Sequence, residues 1–281
     1  MDAGPRMIPH APVESQRNPR VRAAIALRDR RDRDAAGATL VDGTRELSRA
    51  LDGGAVVLEA FVDEARLGDE GWTLLARLAR GGASIIPAGS AVLAKLAYGE
   101  RSEGIVAVVR IPDTSLAGLR LPPDPLVVVV EGVEKPGNLG AILRSADAAG
   151  ANAVIAADPV TDLFNPNAVR ASLGTIFAVP VASAPASAVR DWLAGRGIRV
   201  VAAWVEGAAL HTDTDLTGPI ALVLGSEAEG LTGPWAAPGI ERVRLPMLGI
   251  ADSLNVSVAA AVLLYEARRQ RGIHATRAGR E

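Results

Sequence analysis

The sequence predicts an α/β protein built on a mostly parallel sheet, preceded by a smaller α/β unit. Strand-like apolar runs alternate with helix-like segments from about residue 126 onward, as in proteins with helices on both faces of a parallel sheet. The run "LVVVV" (126–130) is β-branched without alternation, which is typical of a strand buried on both faces. A proline-rich stretch, "IPDTSLAGLRLPPDP" (111–125), separates this part from the earlier strands and helices.

Five regions follow from this pattern. They are a flexible tail (1–18), an α/β domain (19–110), a linker (111–125), the main α/β domain (126–272) and a second flexible tail (273–281). The first domain is predicted to contain a helix over 19–34, a strand turning into a helix over 38–54, a strand over 56–62, a helix over 71–82, a strand over 83–86, a short helix near 90–97 and a strand over 104–110.

The main domain continues the alternation. After the strand 126–130 come a loop and a helix that ends at Gly150. The next segments are a strand over 153–157, a helix over 188–197, strands over 198–204, 220–225 and 242–246, and a closing helix within 252–270.

Composition excludes several classes of protein. The chain has 281 residues, 49% hydrophobic and 22% charged, with no cysteine for disulfides, thiolate metal sites or a thiol nucleophile. Its three histidines lie far apart, so we predict no metal site. No apolar run reaches the roughly 18–20 residues of a membrane span, and the first residues do not resemble a secretory signal. A cytoplasmic protein with no membrane partner is therefore expected.

Arginine is concentrated in two clusters although the net charge is only −2. Residues 17–34 contain seven Arg against three Asp, and Arg268, Arg269 and Arg271 follow the closing helix. Such clusters suit RNA phosphates. Cations also favour the C-terminus of a helix through its dipole, so charge alone leaves both readings open.

Three polar motifs lie at predicted strand ends, where ligands bind in open parallel sheets. In "PGNLGAILRSADAAG" (136–150), Asn138 and Arg144 are six residues apart; if the helix begins near Leu139, Arg144 lies in its second turn. The glycine spacing does not match a dinucleotide fingerprint. In "LVLGSEAEG" (222–230), Gly225 ends a strand and has no side chain to keep a ligand from the backbone.

The third motif, "LPMLGIADSLNVS" (245–257), leads into the apolar helix. Ser253 is a candidate N-cap, because serine oxygens accept the free backbone N–H groups of a first turn. Asn255 would then lie inside that turn, where asparagine has poor helix propensity. Capping and a functional site at the start of the helix both fit this stretch.

In this order, the three motifs resemble the SpoU/TrmH family of RNA ribose 2′-O-methyltransferases. The family pattern N-x-G-x-x-x-R is matched by Asn138, Gly140 and Arg144. The pattern G-x-E-x-x-G is matched by Gly225, Glu227 and Gly230. The pattern P-M-x-G-x-x-x-S-L-N is matched by Pro246, Met247, Gly249, Ser253, Leu254 and Asn255. The match spans about 126–271, and residues 19–110 are more loosely similar to the family's RNA substrate-binding domain.

This resemblance implies a SPOUT fold, in which the C-terminal part of the parallel sheet is threaded into a trefoil knot. It also implies a homodimer and S-adenosylmethionine as the methyl donor. The residues implied to bind the donor are Gly225, Leu245, Met247 and Leu254. We expect the homodimer for a second reason, because the stretch 256–264 is too uniformly apolar to leave a face in water.

The resemblance also implies a catalytic set, which is Asn138, Arg144, Glu227, Ser253 and Asn255. Ser253 and Asn255 are then expected both to cap the closing helix and to line the site. Arg144 is the family's catalytic arginine, but a guanidinium stays protonated and is a poor base. We expect it to grip phosphate and stabilise the developing alkoxide, leaving phosphate, water or Ser253 to take the proton. The residues expected to contact RNA are Arg20, Arg22, Arg28, Arg31 and Arg144.

Large-subunit ribosomal RNA is the substrate that family precedent favours, and transfer RNA is the alternative. Two other classes stay open at this point. A nucleotide-dependent oxidoreductase predicts dinucleotide binding, and a catalytically inactive RNA-binding module predicts RNA affinity without turnover.

Overall fold

The chain forms two compact units in a computed structural model that describes residues 11–98, 103–205, 209–226 and 230–272. The first unit contains the chain up to Asp113 and the segment Asp162–Ala178. The second contains Thr114–Thr161 and the chain from Val179 onward. The α/β class with a parallel sheet is confirmed. The segment Asp162–Ala178, which lies inside the predicted range 126–272, packs with the first unit.

The described part of the first unit has a four-stranded mixed sheet in the order β1-β4-β2-β3. Its elements up to residue 110 are α1 (Pro19–Ala26), α2 (Arg30–Ala36), β1 (Ala38–Asp42), α3 (Thr44–Asp52), β2 (Val57–Val62), α4 (Asp69–Arg80), β3 (Ser84–Pro87), α5 (Ser90–Leu96) and β4 (Ile105–Arg110). Leu40, Phe61 and Leu93 are among the fully buried side chains of its core.

Two expectations for this unit were wrong. The single helix predicted over 19–34 is two helices, because Asp29 accepts a hydrogen bond from the Arg31 N–H and starts a new helix. The predicted tail 1–18 is described from residue 11. There Val13 pairs with Ala88 in a parallel bridge, so this part of the tail belongs to the folded unit.

The described part of the second unit has a seven-stranded parallel sheet in the order β7-β6-β5-β10-β8-β11-β9. Its elements are β5 (Leu126–Glu131), α6 (Pro136–Ala149), β6 (Ala153–Ala157), β7 (Val181–Ala184), α8 (Ala186–Ala194), β8 (Arg199–Ala203), β9 (Ala209–Leu210), β10 (Ile220–Leu224), β11 (Glu241–Arg244) and α9 (Val256–Gln270).

The order of these strands positions the site. The chain runs outward from β5 to β6 and β7, and later strands add on the other side of β5. The direction in which successive strands are added to the sheet therefore reverses between β5 and β10. Such a switch point leaves a crevice at the carboxyl ends of the strands. The strands β5 and β10 are buried along their whole length, which explains the unbroken apolar runs in their sequences.

The segment Asp162–Ala178, which contains α7 (Pro166–Ala171), is held in the first unit by specific contacts. Arg33 is buried and pairs with the carboxylate of Asp162. The Thr39 hydroxyl donates to the carbonyl of Phe164 at 2.7 Å. Sequence patterns predicted neither α7 nor these contacts. In the described ranges, no helix is long and apolar enough to cross a bilayer.

Candidate functional site

A cleft lies at the carboxyl ends of β8, β10 and β11. It has a volume of about 410 Å³, within the usual range for small-ligand sites. All four residues predicted to bind the methyl donor line it, namely Gly225, Leu245, Met247 and Leu254. We call it the donor cavity.

A second cavity of about 210 Å³ lies beside the donor cavity, at the ends of β5 and β10. Asn138 lines it, and so do Glu131 and Lys135. Gly225, Ser226 and Val256 line both cavities, so the two meet at the end of β10. We call this the acceptor cavity.

Asn255 connects the two cavities. Its Nδ2 donates to Oδ1 of Asn138 at 3.2 Å, so the first and third motifs come together in space. Its own Oδ1 accepts hydrogen bonds from the N–H of Ser257 at 2.9 Å and from the Ser257 hydroxyl at 2.6 Å. One amide therefore both holds Asn138 and caps α9.

Of the two residues expected to cap this helix, Asn255 does so and Ser253 does not. The helix begins at Val256 and its N-cap is Asn255, which lies before the first turn and not inside it. Ser253 is exposed and lines the donor cavity. The helix propensity of Asn255 is therefore irrelevant, because the residue has extended backbone geometry (φ −51°, ψ 137°).

The structure gives a reason for Gly225 that the sequence did not. A Cβ atom on Gly225 would lie 2.1 Å from the carbonyl carbon of Gly230 and 2.5 Å from the backbone nitrogen of Leu231. Glycine is thus required because the loop crosses its own backbone here, whether or not a ligand also needs the space. Ser226 and Gly230 close this loop with two backbone hydrogen bonds of 3.1 Å. Glu227, predicted to be catalytic, lies outside the described residues.

Arg144 lies farther from the cavities than the sequence suggested. The helix α6 starts at Pro136, which places Asn138 in the first turn and Arg144 in the third. Six residues of helix separate the two by about 9 Å along the axis. Arg144 is exposed, and among the described residues it lines neither cavity and has no ion-pair partner.

The arginines of the first unit differ in what they contact. Arg22 and Arg31 are exposed, and no side-chain partner for them exists among the described residues. Arg20 pairs with Glu59. Arg28 donates to the carbonyls of Lys95 and Ala97 at 2.9 and 2.6 Å, and its guanidinium lies over the Tyr98 ring.

Glu131 and Trp204 are among the lining residues that the sequence did not predict. Glu131 is buried at the end of β5, where its carboxylate accepts the Thr232 N–H at 2.8 Å and the Thr232 hydroxyl. Its position directly after the apolar run of β5 was a usable signal, since ligands bind at such strand ends. Trp204, one residue after β8, lines the donor cavity and carried no motif.

The fold and these cavities define an α/β protein that binds a ligand at the carboxyl edge of a parallel sheet and has a separate α/β domain before it. The chain belongs to the SpoU rRNA Methylase family, whose model matches residues 125–265. The MRM3-like substrate binding domain matches residues 18–107. The predicted family is thereby confirmed.

Relatives and solved structures agree with this membership. The 23S rRNA (uridine(2479)-2'-O)-methyltransferase of Streptomyces viridochromogenes is 36% identical over 254 residues, which are 87% of this chain and 87% of that protein. The 23S rRNA (guanosine(2553)-2'-O)-methyltransferase RlmP of Bacillus subtilis is 29% identical, covering 91% of this chain and 98% of the relative. The crystal structure of AviRb from Streptomyces viridochromogenes in complex with AdoMet has a TM-score of 0.84 and 34% identity, covering 90% of this chain and 98% of that one.

Proposed function

We propose that the protein transfers the methyl group of S-adenosylmethionine to a ribose 2′-hydroxyl of 23S ribosomal RNA. The observation that carries this proposal is the donor cavity, which gathers all four residues predicted for the donor and opens beside Asn138. Relatives of this chain are named 23S rRNA 2'-O-methyltransferases, and a solved neighbour contains AdoMet.

The donor cavity fits S-adenosylmethionine in size and in chemistry. Its walls are largely apolar, and Ser226, Ser253 and Asn255 add a few polar groups for orientation. When bound, the donor supplies a sulfonium methyl that needs little activation. The residues of the chain must therefore act on the weak partner, the ribose hydroxyl, which loses its proton as it attacks.

The acceptor cavity is the proposed place for the ribose. Asn138, held by Asn255, would orient the hydroxyl for in-line attack. Arg144 would bind the adjacent phosphate from the surface of α6 and stabilise the negative charge that develops on oxygen. It would not act as the base, because a guanidinium remains protonated. Ser253 lines the donor cavity, where its hydroxyl would relay the proton to solvent. Glu227 would fix the loop 225–230 or Asn138.

Arg22 and Arg31 are the proposed phosphate contacts of the first unit, because their side chains are exposed and not engaged within the described residues. Arg20 and Arg28 were predicted alongside them. Their contacts with Glu59 and with the carbonyls of Lys95 and Ala97 commit much of their hydrogen-bonding capacity to the fold.

We further propose a homodimer that packs through α9, and a knotted, cytoplasmic chain as in the SPOUT fold. One side of α9 is buried against its own unit through Ala260, Leu263 and Leu264. On the other side Val258, Val262 and Tyr265 are 47%, 38% and 51% exposed. This spacing of four and three residues forms one apolar stripe, which a second copy would cover.

The test is transfer of a labelled methyl group to ribosomal RNA, followed by alkaline digestion. Alkali cleaves RNA through the free 2′-hydroxyl, so methylation there leaves a resistant dinucleotide. Ribosomal RNA from a strain that lacks the gene is the substrate, and transfer RNA is the comparison. A methylated base would contradict the ribose assignment, and labelling of transfer RNA alone would contradict the substrate.

A further inference from the structure

We propose that Trp204 binds the adenine of the methyl donor by stacking, and that Arg242 holds the indole ring in place. This inference rests on the proposed function, since it concerns the same donor cavity. It assigns the adenine to the end of the cavity over β8, where Trp204 belongs to none of the family motifs.

The strand order gives the donor cavity two distinct ends. The end shared with the acceptor cavity lies at β10, where Gly225, Ser226 and Val256 line both spaces. A methyl group must leave the donor at this shared end, because Asn138 and the acceptor lie beyond it. The opposite end lies over β8 and β11, and Trp204 is located there, directly after β8.

Trp204 is the one aromatic residue among the described residues that line the donor cavity. Its other described neighbours at this end are Ala203, Val205, Val243 and Leu245. A flat indole among small aliphatic side chains is a suitable partner for a flat heterocycle, because every base has an apolar face that stacks on aromatic rings. The amino-acid part of the donor carries charges that such walls do not match.

The indole is fixed before any ligand binds. The guanidinium of Arg242 lies over the Trp204 ring, 4.6 Å from its centroid, which is a favourable cation–π arrangement. The backbone N–H of Trp204 donates to the carbonyl of Val243 at 2.7 Å, and the indole side chain packs against the core of the second unit. A ring fixed in this way loses little freedom when it stacks, so more of the stacking energy contributes to affinity.

The chain offers a matched control. Trp192 on α8 has the same arrangement, with the guanidinium of Arg196 located 4.1 Å from its ring centroid. It does not line either described cavity. The Trp192→Ala variant therefore removes an equivalent arginine–tryptophan stack without touching the proposed adenine site.

The experiment measures binding of S-adenosylhomocysteine and of 5′-methylthioadenosine by calorimetry. The second ligand has the adenosine part but no amino-acid part. We expect Trp204→Ala to weaken both by about 10- to 100-fold, the range for loss of one base–aromatic stack. Trp204→Phe should retain most of the affinity for both ligands, and Trp192→Ala should retain all of it.

Tryptophan fluorescence gives a second readout that does not require the alanine variant to fold. 5′-Methylthioadenosine should quench the emission of the wild-type protein and of Trp192→Phe, but not that of Trp204→Phe. Equal affinity in folded Trp204→Ala would overturn the stacking. A loss confined to S-adenosylhomocysteine would assign Trp204 to the amino-acid end instead. If the wild-type protein bound neither ligand, the donor cavity itself, and with it the proposed function, would be wrong.

Discussion

Asn255 combines two roles, and substitutions can separate them. Its Oδ1 caps α9, and its Nδ2 holds Asn138. Asn255→Ala removes both. Asn255→Asp keeps an oxygen for the Ser257 N–H but removes the donor to Asn138. The hydrogen bond between residues 255 and 138 is then lost, or the side-chain amide of Asn138 flips. After a flip, its oxygen points in the direction in which the wild-type amide points its NH₂ group.

The size of each effect follows from these contacts. Loss of an asparagine cap costs about 1 kcal/mol, so Asn255→Ala should lower Tm by roughly 2–4 °C for a domain of this size. Asn255→Asp should be as stable as the wild type or slightly more stable, because a carboxylate is favoured at a helix N-terminus. Both variants lose the orientation of the Asn138 amide that the wild-type hydrogen bond fixes. We expect kcat/KM to fall at least about tenfold in both, which corresponds to about 1.4 kcal/mol.

The assays are thermal unfolding followed by circular dichroism and initial rates of methyl transfer to ribosomal RNA. Asn165 provides the control, since its Oδ1 caps α7 by accepting the Asn167 N–H at the same distance of 2.9 Å. Asn165→Ala should lose similar stability and keep its activity. Full activity in a stable Asn255→Asp protein would refute the role of the Asn138 contact. An Asp variant as unstable as the Ala variant would refute the capping argument.

Three further predictions follow from the site. Arg144→Ala should bind S-adenosylhomocysteine normally but lose at least about 100-fold in methyl transfer, and Arg144→Lys should recover little; an active alanine variant would contradict the phosphate grip. Gly225→Ala should lower Tm and donor affinity together, because its Cβ would lie 2.1 Å from the Gly230 carbonyl carbon; unchanged calorimetric affinity would show that the loop can yield. Val262→Glu should produce a monomer by sedimentation velocity, because a charge would interrupt the exposed stripe of α9; a wild-type monomer at micromolar concentration would contradict the dimer.

The strands of the site were predictable because burial on both faces leaves a plain signal. The runs over β5 and β10 are apolar throughout, and their polar continuations mark the edge where ligands bind. The three motifs could therefore be assigned to one edge of the sheet. The contact between Asn138 and Asn255, 117 residues apart, shows that the first and third motifs meet.

The roles of Gly225 and of the arginines near the end of α9 depend on tertiary contacts that the sequence does not reveal. Gly225 is required by a backbone crossing that no local pattern encodes. Charge left RNA binding open for the arginine cluster at the end of α9, yet Arg268 donates to the carbonyls of Ala149 and Gly150 at 2.6 and 2.9 Å. Arg271 likewise donates to the carbonyls of residues before β5 and β10. Charge alone cannot distinguish an arginine that faces solvent from one that binds the free carbonyls at the end of another element.

The segment Asp162–Ala178 constrains how this protein can be engineered. In a graft that exchanges only residues 1–113 for the substrate domain of a relative, the first unit would combine residues from two parents. The ion pair between Arg33 and Asp162 would then be lost. The graft would leave Asp162, whose side chain is 15% exposed, without the buried guanidinium of Arg33, and loss of one partner of a buried ion pair costs about 3–5 kcal/mol. Specificity can therefore be transplanted only as a discontinuous cassette, in which residues 162–178 come from the same parent as the domain they complete.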